Sequence, residues 1–231
     1  DEVDFLMKLE FEDSSTYKLI LNAIANGKNT INEIKDFIKV QRTDITPYIR
    51  NLIEVDFIKR EVPITENQKS RFGRYYLKDN FLKFWFRYIY PNLSSIEQGI
   101  FKVEYIKKDY SSYLGQIFEE VVKQSLTNFK FFYFSKMGRW WYKDKEIDIV
   151  ALNEESKEIL FGECKFQDKV NAGKIVFELK DKSRYVPWNN DNRKESFVVF
   201  AKSFTKKIKE FEGKKVYCFD LKDIENILEK K

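Results

Sequence analysis

The chain has no histidine, two cysteines, four prolines and eight glycines among its 231 residues. The missing histidine removes Ser-His and Cys-His nucleophilic catalysis, imidazole general-base chemistry and most zinc and iron sites. Cys164 and Cys218 are far apart in sequence and lack CxxC spacing, so neither a disulfide framework nor a cysteine zinc site is supported. No apolar run approaches the roughly 18 residues that span a bilayer, and no secretory leader opens the chain. A cytoplasmic protein without a membrane partner is expected. Carboxylate and lysine chemistry remains, with 42 Lys and Arg against 37 Asp and Glu and a net charge of +5. That excess permits an anionic partner without requiring one. With 43% hydrophobic and 17% aromatic residues the chain is globular, and its length suits one large or two small domains.

The most unusual stretch is EIDIVALNEESKEILFGECK, from Glu146 to Lys165. Two apolar runs flank a polar tract, which predicts two strands joined by a tight turn. Strand alternation puts Glu146 and Asp148 on one face of the first strand, and Glu163 and Lys165 on one face of the second. A lone carboxylate among Ile, Val, Leu and Phe costs several kcal/mol or takes up a proton. These groups therefore need a partner: a cation, each other, or a metal ion.

The chain opens DEVDFL without an initiator Met, and residues 1–13 read as an orphan segment of a longer polypeptide. From residue 14 the pattern is helical. Ser14 or Ser15 caps a helix over Tyr17, Leu19, Ile20, Ala23 and Ile24 that Gly27 ends. Thr30, with Glu33 in a capping box, opens a second over Ile31, Ile34 and Phe37. Thr43 or Asp44 begins a third that turns Ile45, Ile49, Leu52 and Ile53 inward, with Pro47 in its first turn. Phe57–Val62 and Arg74–Leu77 then read as a hairpin around ENQKSRFG. This order predicts a winged helix-turn-helix over 14–92. The exposed face of its third helix offers Thr43, Thr46, Tyr48, Arg50 and Asn51 to a DNA groove, and Arg42, Lys69, Arg71 and Arg74 offer charge to phosphates. Protein docking is the competing use of such a module. The aromatic run from Phe81 to Tyr88 has helical spacing and reads as a packing helix stopped by Pro91.

The segments RYYLKDNFLKFWFRYIYPN, ITPYIRNLIEVDFIKREVP and GECK resemble the C-terminal half of archaeal-type P-loop ATPases. The resemblance covers most of the chain. It implies an AAA-like ATPase domain upstream, a winged helix, and a terminal domain similar to PD-(D/E)XK nucleases. Gly27-Lys28-Asn29-Thr30 lacks the earlier glycine and the preceding strand of a P-loop, so no ATP site is expected in this chain.

Residues 93–231 read as the α/β part: a helix over Tyr113–Leu126, strands at Phe131–Phe134, Glu146–Leu152 and Ile159–Phe166, a helix near Ala172–Tyr185, and strands at Ser196–Ala201 and Lys215–Phe219. That order is the one expected of a restriction-endonuclease-like core with a mixed central sheet. Under the resemblance, Asp148 and Glu163 would bind Mg²⁺ or Mn²⁺ with the carbonyl of Cys164 between them. Lys165 would hold or activate the attacking water. Glu119 matches a further acidic residue that many members direct toward the metal, with Glu146 as its competitor, and Ile147 stands where the motif has its proline. Lys182, near the following helix, is a candidate phosphate contact. The expectation is a metal-dependent endonuclease acting on DNA, with the upstream ATPase domain as a partner and a homodimer allowed. The alternative is an inactive nuclease-fold module for DNA binding or dimerisation, whose acidic cluster only neutralises charge.

Overall fold

The structure, a computed structural model, describes residues 2–40 and 44–229. It separates into two compact units, one drawn from residues up to Glu61 with Ser70–Lys107, the other from Val62–Lys69 with the residues from Lys108 on. It is a mixed α+β protein. Among the described residues, no helix is long and apolar enough to cross a membrane.

In the first unit, α1 (Glu2–Glu10), α2 (Ser15–Ala25), α3 (Ile31–Ile38) and α4 (Thr46–Glu54) precede a hairpin of β1 (Ile58–Glu61) and β2 (Arg74–Leu77). Thr30 forms the expected capping box with Glu33. The start of α4 differs from expectation: Ile45 is the cap position without a side-chain cap, and Asp44 accepts the Thr46 N–H at 3.0 Å. Ile45, Ile49 and Leu52 lie three and four residues apart and are buried in one stripe. Ile53, expected to turn inward, falls beside that stripe and is exposed, as are Leu19 and Phe37. The aromatic segment packs into this core through Trp85 and Phe86. It runs as α5 (Asn80–Phe84), a π turn over Trp85–Ile89 and a 3₁₀ turn over Tyr90–Asn92. Pro91 stands in the first positions of the 3₁₀ turn, where its missing N–H costs little, so the chain continues into α6 (Leu93–Glu97) and then α7 (Glu104–Lys107).

The second unit starts its main run with α8 (Tyr110–Ser125), then β3 (Lys136–Tyr142), β4 (Lys145–Asn153), β5 (Glu158–Lys165), β6 (Val170–Asn171), α9 (Ala172–Ser183), β7 (Lys194–Ala201), β8 (Phe204–Lys206), β9 (Glu210–Phe211), β10 (Lys214–Phe219) and α10 (Leu221–Leu228). The central sheet has the order β3-β4-β5-β7-β10-β9. β3, β4 and β5 are antiparallel neighbours, whereas β5, β7 and β10 are parallel. Val176 and Leu179 of α9 pack on one face against Ile147, Val150, Phe161 and Phe197. Phe118 and Val122 of α8 and Ile224 of α10 pack on the other against Ile149, Leu160, Val198 and Phe200. A strand with both faces covered must be apolar throughout, which explains ILF in β5 and FVVF in β7.

The first core strand is not Phe131–Phe134 as expected but Lys136–Tyr142. Phe131 instead packs on Tyr217 and Phe219, with ring centroids 4.5 and 5.0 Å away, so this apolar run fills the layer beneath the sheet. The outer side of β3 is covered by Val62–Lys69: the Ile64 N–H donates to the Arg139 carbonyl at 2.9 Å, and Lys136 Nζ donates to the Ile64 carbonyl at 2.6 Å. Pairing of this kind shields an otherwise open strand edge.

Candidate active site

The site begins with a fault in strand pairing. β3 and β4 are in register from Lys136↔Leu152 to Gly138↔Val150, and resume at Trp140↔Ile147. Arg139 on β3 thus faces two residues of β4, Asp148 and Ile149, which makes a β-bulge. The bulge shows in the core as well: Ile147 packs with α9, while Ile149, two residues on, packs with α8. The bulge shifts the alternation by one residue between Ile147 and Ile149, at Asp148.

At the same point the β4–β5 ladder stops, its last pair being Ile149↔Gly162. Beyond it the Cys164 N–H has no strand partner on that side and donates to Asp148 Oδ2 at 2.9 Å. A residue's N–H and C=O leave an extended strand on the same edge, so the Cys164 carbonyl also faces this gap. β5 stays straight because it remains paired with β7 through Lys165↔Ala201. The bulge and the end of the ladder together bring Asp148, Glu163 and Lys165 to one place.

Glu163 is 6% exposed and holds two ammonium groups. Lys165 Nζ donates to its Oε1 at 2.6 Å, and Lys182 Nζ, from the last turn of α9, lies 3.2 Å from its Oε2. Burial works against a charged Lys165, but Glu163 beside it, with Asp148 and Glu119, raises its pKa above the ordinary lysine value. Lys165 is therefore an ammonium at neutral pH. Asp148 is the uncompensated group. Burial, the Glu163 charge and the Glu119 charge push its carboxyl up to about 8, against the relief given by the Cys164 N–H and Lys165. Burial and the Asp148 charge likewise drive the Cys164 thiol upward, so it is an inert packing group.

Glu119, on α8, is near enough to act on Asp148 but is engaged elsewhere. Its carboxylate takes the Arg139 guanidinium in an ion pair, and Lys123 Nζ stands 3.8 Å away. Glu120 completes the cluster, 3.7 Å from Arg139 and 3.6 Å from Lys123. Among the described residues no three Cys, Asp or Glu side chains stand together as a set of metal ligands. The donors that fit a divalent cation are Asp148, Glu163 and the Cys164 carbonyl. Two carboxylates and a carbonyl suit Mg²⁺, which retains several waters and takes one or two protein carboxylates. A cation there would offset the burial and the neighbouring carboxylate charges that raise the Asp148 carboxyl.

Residues 85–176 match the family described as archaea bacterial proteins of unknown function, DUF234. The matched span takes in Glu119, Arg139, Asp148 and Glu163–Lys165, and stops short of Lys182. The chain is also 48% identical over 229 residues to an uncharacterized protein, MJECL04, of Methanocaldococcus jannaschii, across 96% of this chain and 51% of the relative. It thus spans about half the length of that relative. No solved structure matches the chain.

The other expected contact residues fall into separate groups. Thr46 and Arg50 are exposed on α4. Asn51 is not offered outward, since its amide donates to the Tyr17 hydroxyl at 2.7 Å. Tyr48 also turns inward, its ring centroid 5.0 Å from that of Tyr17. Arg71 is exposed with its guanidinium over Phe72, and Arg74 lies on β2 opposite Glu61. Arg42 and Thr43 lie outside the described residues. Lys182, a candidate phosphate contact on the sequence, lies against Glu163. Arg139 was missed altogether; a lone arginine inside the apolar run GRWWY was the available signal, because a buried guanidinium requires a carboxylate.

Proposed function

We propose that residues from Lys108 on form a divalent-metal-dependent phosphodiesterase of the PD-(D/E)XK type, and that α2–α4 with the β1–β2 hairpin form a winged helix that delivers DNA to it. The observation that carries this reading is the bulge of β4 beside the broken β4–β5 ladder, which gathers Asp148, Glu163 and Lys165 around one carboxyl raised to about 8. Buried charge of this sign is relieved by a hard cation.

Asp148, Glu163 and the Cys164 carbonyl would hold Mg²⁺ or Mn²⁺. The ion, when bound, supplies Lewis-acid polarisation of a phosphodiester oxygen and a nucleophilic water at neutral pH. Lys165 and Lys182 would then release Glu163 in part and turn their N–H groups toward substrate. Because Lys165 is protonated, it would donate to the phosphoryl oxygens and offset their charge, and the proton shed by the attacking water would leave to solvent. Arg139, paired with Glu119, offsets part of the Glu119 charge that acts on Asp148. On the sequence resemblance, the whole module works with an AAA-like ATPase domain.

A second reading is favoured by the pairing itself. Glu163 already holds two lysines and Glu119 an arginine, as expected of an inactive nuclease-fold module whose cluster is only structural. One experiment separates the two. Calorimetric titration with Mn²⁺ and cleavage of labelled DNA and RNA in Mg²⁺ should both give a signal that Asp148→Ala abolishes. Absence of metal binding and of cutting on every nucleic acid form would sink the hydrolase.

A further inference from the structure

A run of paired lysines and tyrosines leads away from the site. Lys182, in contact with Glu163, is one helical turn before Tyr185, whose N–H donates to the Lys182 carbonyl at 3.1 Å. Lys145 Nζ, at the start of β4, sits 4.8 Å from the centre of the Tyr185 ring. Lys145 is the register partner of Tyr142 across the β3–β4 hairpin, and Lys143 Nζ lies 5.3 Å from the centre of the Tyr142 ring. Tyr142 and Tyr185 are 46% and 49% exposed. Rings of this size normally bury more of their surface, and here both are left partly open, Tyr185 one turn beyond the lysine on Glu163 and Tyr142 across the hairpin from Lys145. Asp181, 3.9 Å from Lys145, and Asp144 in the turn oppose the local charge. Lys143, Lys145 and Arg184 stand against these and Glu146, Lys182 being already held by Glu163.

Alternating cations and open aromatic faces are what an unpaired polynucleotide requires. Phosphates follow the ammonium groups, and bases, splayed from the strand, stack on the rings with little regard to sequence. A duplex keeps its bases stacked on each other and has no use for the rings. We infer that Tyr142 and Tyr185, with Lys143 and Lys145, form a track for single-stranded nucleic acid leading to Asp148 and Glu163, so that the substrate is an unpaired strand, a flap or an overhang. This rests on the proposed hydrolase only for what happens at the end of the track; binding along it is independent.

The test is fluorescence anisotropy in EDTA, with a labelled single strand of about 16 nucleotides and a blunt duplex of the same sequence. Y142A/Y185A should bind the single strand more weakly by roughly tenfold or more, with duplex binding unchanged. Y142F/Y185F keeps both rings and should bind as wild type, and all variants should share the wild-type urea midpoint. The track is overturned if the alanine pair binds the single strand normally, if single strand and duplex weaken equally, or if the phenylalanine pair is as weak as the alanine pair. Cleavage of the same oligonucleotides in Mn²⁺ is scored separately. Ring-dependent binding without cutting overturns the hydrolase and leaves the track standing; equal cutting of single strand and duplex, indifferent to the rings, does the reverse.

Discussion

Asp148→Asn isolates the electrostatic argument from any assay of activity. In metal-free protein the Asp148 carboxyl is raised from an ordinary 3.8 to about 8. The folded chain therefore holds a proton that the unfolded chain gives up through the interval from about pH 4 to pH 8. Where the folded state binds more protons, stability falls as pH rises, here by up to about 1.4 kcal/mol per pH unit. At pH 7 the carboxyl has destabilised the fold over about three such units, or roughly 4 kcal/mol. Solvent at the partly exposed carboxyl screens some of this, leaving an expected 2–4 kcal/mol, on the order of a third of a typical domain's stability. An asparagine amide oxygen can still accept the Cys164 N–H, so the variant keeps the local hydrogen bond and loses only the charge.

Urea unfolding in EDTA at pH 4.5, 6, 7 and 8 measures this directly. Near pH 4.5 the two proteins should be close in stability. By pH 7–8 the asparagine variant should be the more stable, its advantage growing with pH. Mg²⁺ or Mn²⁺ should then stabilise wild type at pH 8 and leave the variant unmoved, because a ligand raises stability only where it binds the folded state. Parallel curves for the two proteins across this range would show that no uncompensated carboxylate exists, and the case for a cation would fall with it.

Three further substitutions probe the surroundings. In G162A the new Cβ would lie 2.8 Å from Val198 Cγ1 and 3.0 Å from Ile149 Cβ, so the fully packed sheet should lose roughly 1–3 kcal/mol in urea unfolding. In R139M, Glu119 and Glu120 lose the guanidinium they share, and a loss of about 3–5 kcal/mol is expected from breaking a buried ion pair on one side; a smaller loss would mean that water reaches the cluster. For K182M, a role in the reaction predicts a cleavage rate lower by roughly tenfold or more with Mn²⁺ affinity little changed, whereas a purely structural lysine would leave the rate alone.

The sheet and the acidic strands were legible because covered strands leave an unmistakable apolar record, and charges inside it stand out. Glu163 and Lys165 were found for that reason. The bulge was not legible: nothing in EIDIVALN marks one extra residue, since its cause is the partner strand, where Arg139 faces both Asp148 and Ile149. The first strand was misplaced for a related reason. FFYF has stronger local strand character than KMGRWWY, yet four aromatic residues also make a good filler between a sheet and a helix, and only the packing of Phe131 on Tyr217 and Phe219 decides between the two. Lys182 shows the limit of charge patterns taken along the chain. On the sequence it is one of several basic residues on a helix, indistinguishable from Lys174 or Lys180. In the fold, Lys180 is taken by Glu212, whereas Lys182 reaches the carboxylate that Lys165 already holds. Two lysines on one buried glutamate are more than neutrality requires when Asp148 alongside is forced toward its protonated form. Under the proposed reading, a divalent ion shared between the two would redistribute this excess of cations on one carboxylate and deficit on the next.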